Sequence, residues 1–258
     1  MADELVHLTV DAGIATITLD SPANRNALSA QLRGELLDAL SETADDDAVR
    51  VVVLTHTGPV FCAGMDLKES RGASPSDQVV NEFPQILEQI WTHPKPVVVQ
   101  LAGPARAGGV GIVAAADIVV ASTEASFAFS EVRIGVVPAV ISVTVLPRLL
   151  PRAAHELFLT GETFDAQRAV AIGLVNSAVP ADELGAEVAR FTDMLSRGAP
   201  KALALTKQLL SRRAESTMAE DFEAMLELSA QRFASAEGQE GIRAFTDKRP
   251  PSWAAPES

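Results

Sequence analysis

Hydrophobic and polar positions change period several times along the chain. Residues 5–10 and 14–19 are β-rich runs parted by Asp11-Ala12-Gly13, which predicts an N-terminal hairpin closed by a tight turn. Between Ser29 and Thr43 the period becomes helical: Leu32, Leu36, Leu37 and Leu40 share a face, Ser29 can cap the start, and Asp45-Asp46-Asp47 ends the run. Val51-Val52-Val53-Leu54 is apolar at every position, and residues 96–101 and 118–121 repeat that character, which predicts strands covered on both faces. Residues 71–77, rich in Gly, Ser and Pro, predict a loop, followed by a helix over 79–91. Beyond Ala153 the strand signal fades except at 174–179. Helical patterns there cover 182–196, 200–213, 218–234 and 240–245, and the Pro-rich end from Pro250 reads as frayed. Strands alternating with helices predict an α/β fold with a helical C-terminal part.

Composition narrows the class. With 258 residues, 47% hydrophobic and 21% charged, the chain has material for one large core rather than two equal domains. The start, Met1-Ala2-Asp3-Glu4, lacks a basic or apolar leader, and no apolar run reaches the about 18 residues that span a bilayer. A soluble, cytoplasmic protein with no membrane partner is expected. The single cysteine, Cys62, excludes an internal disulfide framework and a multi-cysteine metal cluster. His7, His56, His93 and His155 have no metal-ligand spacing, so they read as structural or surface residues and no metal is expected. A net charge of −13 opposes nucleic-acid binding yet leaves room for a small phosphate-bearing ligand held locally.

Three segments carry candidate chemistry. In Val60-Phe61-Cys62-Ala63-Gly64-Met65-Asp66-Leu67-Lys68, small residues follow an apolar strand, Gly64 permits a turn, and Asp66 can cap a short helix. The Met65 N–H then falls near a helix start, where free donors attract developing negative charge. An ordinary strand-to-helix loop would have the same composition. Residues 101–111 form a Gly-rich turn ahead of an apolar helix, a second N-terminus offered to an anion. Gly109, Gly111 and Ala114 fit a dinucleotide spacing, but that fold needs an acidic residue about 20 positions on at the end of the next strand, and Asp117 begins it. No Lys-Ser or Lys-Thr pair closes the run as a phosphate loop requires. Residues 127–138 carry one carboxylate, Glu131, among apolar neighbours. Buried, it would have a raised pKa suited to taking and giving a proton near neutrality; exposed, it is an ordinary helix-start glutamate. Cys62 reads as a buried small hydrophobe rather than a nucleophile.

Together, and in this order from Leu5 to Trp253, these segments resemble the crotonase, or enoyl-CoA hydratase/isomerase, superfamily. The resemblance implies a spiral ββα core over residues 1–195 holding an acyl-CoA site, and a helical trimerisation region over 196–258. It implies an oxyanion hole from the Met65 and Gly108 N–H groups. Members with two catalytic glutamates place one where this chain has Gly111 and the other at Glu131, so only the second is present. Single-glutamate patterns resemble the Δ3,Δ2-enoyl-CoA isomerases and the methylglutaconyl-CoA type of hydratase, and the wording of 109–112 and 130–142 is closest to the latter. Arg25, Ala27 and Ala63 resemble adenine and phosphate contacts of coenzyme A, Lys68 a pantetheine or phosphate contact, and Phe245 with Lys248 a pair supplied by a neighbouring subunit. Coenzyme A is then part of the substrate, with no separate cofactor, and a homotrimer or a hexamer of two trimers is implied. The expected activity is hydration of 2-enoyl-CoA thioesters; the alternatives are isomerisation by Glu131 alone and noncatalytic acyl-CoA binding. Arg106, beside the glycine run, is expected either to meet a carboxylate on the acyl tail or to point outward.

Overall fold

A computed structural model describes residues 4–66, 69, 83–211, 226, 229 and 231–254. Its strands are β1 (Val6–Asp11), β2 (Ile14–Leu19), β3 (Val51–His56), β4 (Val97–Leu101), β5 (Ala105–Arg106), β6 (Ile118–Ser122), β7 (Ser126–Ala128), β8 (Phe164–Asp165) and β9 (Ser177–Val179). The helices are α1 (Ala30–Asp45), α2 (Phe83–Thr92), α3 (Gly108–Ala115), α4 (Ala139–Val145), α5 (Pro151–Thr160), α6 (Ala166–Ala171), α7 (Leu184–Ser196), α8 (Pro200–Ser211) and α9 (Ala236–Thr246). The hairpin forms as expected, with Val6 opposite Leu19 and positive φ at Ala12 and Gly13. From β2 onward the pairing is parallel, giving a six-stranded sheet ordered β1-β2-β3-β4-β6-β9. A smaller sheet, β5-β7-β8, stands beside it.

The unbroken apolar strands have a physical cause. Successive side chains leave opposite faces of a strand. Val52, Leu54, Val97 and Val99 enter the main core, while Val51, Val53, Val98 and Val120 pack with Leu184 and Val188 of α7 on the other face. Both faces are dry, so both parities must be apolar. In α1, Ser29 Oγ accepts the Leu32 N–H at 3.3 Å, and Leu32, Leu36 and Leu40 are fully buried, as their spacing predicts.

Buried cations tie the helical C-terminal part to this core. Lys207 of α8 pairs with Asp117 at 2.7 Å and donates to the Ile90 carbonyl at the end of α2. Arg148 donates to the Ala114 and Ala116 carbonyls at the end of α3 and stacks over Trp91. Burial draws the Lys207 pKa down and the Asp117 pKa up, while their mutual attraction opposes both shifts. His93 is a buried structural residue whose pKa burial pushes down to about 4.

Several boundaries differ from expectation. α7 starts at Leu184 because Asp182 and Glu183 lie in a turn closed by the Pro180 carbonyl. β9 starts at Ser177 because Gly173 turns the chain at φ +90° and Asn176 spends its Oδ1 on the Val119 N–H. α9 is longer than residues 240–245, since Ser235 Oγ caps the Gly238 N–H. The expected loop at 71–77, the start of the following helix and most of 218–234 lie outside the described residues. Among the described residues no helix is long and apolar enough to cross a membrane.

Candidate active site

Two chain segments meet edge to edge beyond the ends of β3 and β4. The Phe61 N–H donates to the Pro104 carbonyl, and the Arg106 N–H donates to the Cys62 carbonyl. Cys62 is fully buried between them, and burial pushes its thiol pKa up to about 12, which favours the neutral thiol. Gly64 follows at φ +94°, where a Cβ would lie 3.0 Å from the Ala107 Cβ and 3.5 Å from the Gly108 nitrogen. Ala107 is itself at φ 45° and ψ −117°, a strained setting from which α3 begins at Gly108. The N–H groups of Met65 and Gly108 donate to no acceptor among the described residues. Both residues line a mostly apolar cavity of about 300 Å³. Met65 bridges to Leu28 in the manner of a strand, and the residues that would form a helix after Asp66 lie outside the described residues.

The same cavity receives Glu131. After β7 the chain enters a short 3-10 helix, Ser130–Ile134, that places Glu131 in its first turn and ends at Gly135 with positive φ. Glu131 is half-buried; its Oε2 is buried without a hydrogen-bond partner among the described residues. Burial raises its pKa, opposed by a bond from its own backbone. The observed residue combines features of the two sequence-based alternatives: it starts a short helix and is half-buried, with one carboxylate oxygen buried. A pair of free N–H donors can hold an oxyanion, and a desolvated carboxyl group facing them can shuttle a proton.

Gly111 lies in α3 with its missing side chain aimed at α4. A Cβ there would sit 2.6 Å from Ile141 Cγ2 and 3.2 Å from Ile141 Cβ. Position 111 therefore presents no side chain, and Ile141 occupies the space one would enter.

The expected coenzyme A contacts separate. Ala63 lines the cavity and its N–H donates to the Arg25 carbonyl; the Leu28 N–H donates to the Gly64 carbonyl. Ala27 is buried within this pairing, Arg25 is exposed, and neither lines the cavity. Lys68 lies outside the described residues. Phe245, 88% exposed, and Lys248 lie outside their own chain's cavity. The expectation that Arg106 meets an acyl carboxylate is corrected: its guanidinium donates to the Ala105 and Ser126 carbonyls and to Ser126 Oγ, and it does not line the cavity. Asn26 was not singled out from the sequence. It is fully buried at φ 51°, accepts from the Ser21 N–H and donates to the Thr57 and Val60 carbonyls, thereby fixing the segment that pairs with residues 63–65. Its one readable signal is the tolerance of asparagine for left-handed backbone.

The family model for Enoyl-CoA hydratase/isomerase matches residues 9–256. The chain belongs to this family. Its fold is accordingly the crotonase fold, as the solved enoyl-CoA hydratases that resemble it also show. A crystal structure of an enoyl-CoA hydratase from Mycobacterium avium is 42% identical, with TM-score 0.75 and coverage of 98% of this chain and 100% of that one. The enoyl-CoA hydratase structure from Mycobacterium smegmatis superposes with TM-score 0.91 at 31% identity, covering 97% and 99% of the two chains. Carnitinyl-CoA dehydratase of Proteus mirabilis is 33% identical over 256 residues, 96% of this chain and 97% of that protein. Membership makes an acyl-CoA thioester the substrate class.

Proposed function

We propose that this enoyl-CoA hydratase/isomerase family member hydrates 2-enoyl-CoA thioesters with Glu131 as its one acid/base. The observation that carries the proposal is the buried Glu131 Oε2, without a partner among the described residues, in the same cavity as Met65 and Gly108, whose N–H groups donate to no acceptor among those residues. The Glu131 carboxylate takes a proton from water as the water oxygen bonds to C3. The C2=C3 electrons move onto the thioester oxygen, where the two N–H groups hold the enolate. Collapse of the enolate takes the proton from Glu131 to C2 and restores the carboxylate. A raised pKa suits a group that must both accept and return that proton.

A second reading is favoured by Gly111 and Ile141, which leave Glu131 the one carboxylate among the described residues that line the cavity. In it, Glu131 removes a C2 proton from a 3-enoyl-CoA, the electrons spread over a dienolate whose oxygen the same N–H groups hold, and Glu131 returns the proton to C4 as the double bond moves to C2=C3. The product decides between them: purified protein given 2-enoyl- and 3-enoyl-CoA thioesters is assayed by mass and chromatography. Gain of one water, lost in Glu131→Gln, supports the hydratase; double-bond migration without water supports the isomerase; tight binding without turnover makes it an acyl-CoA carrier. We further propose that exposed Phe245 and Lys248 serve a neighbouring subunit of a homotrimer or hexamer, which light scattering on the purified protein tests.

A further inference from the structure

The wall of the acyl cavity is built around the glycine at position 111. Ile141, 3% exposed, lines the cavity that holds Glu131 and packs on the bare Cα of Gly111, close enough that any Cβ would collide with it. Beside Ile141, Leu87 Cδ2 lies 3.5 Å from the same point a Cβ would occupy. Leu87 lines a second apolar cavity, of about 460 Å³, with Trp91 and Val143 on its walls. Val140 is thus a wall of both spaces, while Ile141 lines the first and Leu87 the second, the two side chains of Ile141 and Leu87 meeting over Gly111. Thr144 Oγ1 donates to the Gly111 carbonyl at 3.2 Å and ties the two helices together there.

We infer that Ile141, seated on Gly111, is the residue that limits acyl-chain length: it closes the acyl cavity, restricts the site to short acyl groups, and keeps longer chains from the second cavity. At about 300 Å³ the first cavity is at the small end of ligand sites, which run from about 300 to 1,000 Å³. A methylene that does not fit an apolar pocket changes discrimination by about 10–200-fold, so one well-packed side chain can set a sharp cut-off. Truncating Ile141 opens this wall over a glycine that contributes no side chain of its own.

This inference rests on the acyl group entering the cavity of the proposed function, so its test uses binding rather than turnover. Dissociation constants are measured by calorimetry for saturated butyryl-, hexanoyl-, octanoyl- and dodecanoyl-CoA on the full-length wild type, Ile141→Ala and Ile141→Val. The wild type is expected to bind octanoyl-CoA at least about tenfold more weakly than butyryl-CoA, and Ile141→Ala to bring the ratio of the two dissociation constants back toward one. Ile141→Val, which removes a single methyl group, shifts the profile in the same direction and serves if the alanine variant fails to fold. A wild type that binds dodecanoyl-CoA as tightly as butyryl-CoA, or a length profile that neither variant alters, overturns the inference. A cut-off moved by the variants in a protein that hydrates nothing supports this inference and removes the hydratase reading alone.

Discussion

The two sides of the cavity are built differently. On one side, residues 61–65 and 105–111 present backbone N–H groups held by main-chain hydrogen bonds, a positive-φ glycine and the buried Asn26 clamp. On the other, residues 130–141 present side chains: one carboxylate and a set of apolar groups, with Val136 and Val137 at least half exposed. The backbone side can stabilise an enolate whatever acyl group generated it. The side-chain side decides which proton moves and what fits. A family can therefore keep the first side and change reaction through the second.

The sharpest way to break the contrast is Glu131→Gln. We expect kcat to fall by about 10²–10⁴-fold with acyl-CoA affinity retained, because a positioned acid/base contributes on that order; steady-state kinetics with calorimetry checks both halves. Gly64→Ala attacks the backbone side. Its Cβ at positive φ against Ala107 displaces the donors, and loss of one oxyanion donor lowers kcat by about 10²–10³-fold with little change in binding. Asn26→Ala leaves buried backbone groups unpaired at a cost of about 1–3 kcal/mol each, so denaturant midpoints and kcat should fall together.

Gly111→Glu overpacks against Ile141, costing about 1–3 kcal/mol by thermal melt without raising hydration. The smallest effect is a pH dependence of stability. Because burial raises the Glu131 pKa in the fold, its contribution is present below the unfolded glutamate pKa and is lost as pH rises through the folded value. Glu131→Gln is therefore expected to melt slightly higher than wild type at neutral pH and no higher in acid.

Much of this architecture was legible beforehand, for identifiable reasons. Strands covered on both faces are apolar at every position, so β3, β4 and β6 stood out, and Ser29 announced α1. Which face each valine took was not legible, since a run with both parities apolar has no period to read. Motif order led to the placement of Met65, Gly108 and Glu131 around one cavity. Direction was the missing quantity elsewhere: Arg106 gave no sign that Ser126 would claim its guanidinium, and Gly111 gave none that Ile141 would fill its space. Those contacts join residues 20 and 30 positions apart through the tertiary fold. Asn26 is a short-range signal by conformation but acts through Thr57 and Val60, far along the chain.

The central claim is that Glu131 and two backbone N–H groups make and unmake an enolate at C2. Its most direct test is exchange of the C2 protons of bound 3-hydroxyacyl-CoA for deuterium, followed by NMR in D2O. The account predicts rapid exchange in the wild type that disappears in Glu131→Gln while the thioester stays bound. Exchange that persists at the wild-type rate in Glu131→Gln, or a wild type that turns over without any exchange at C2, would contradict it.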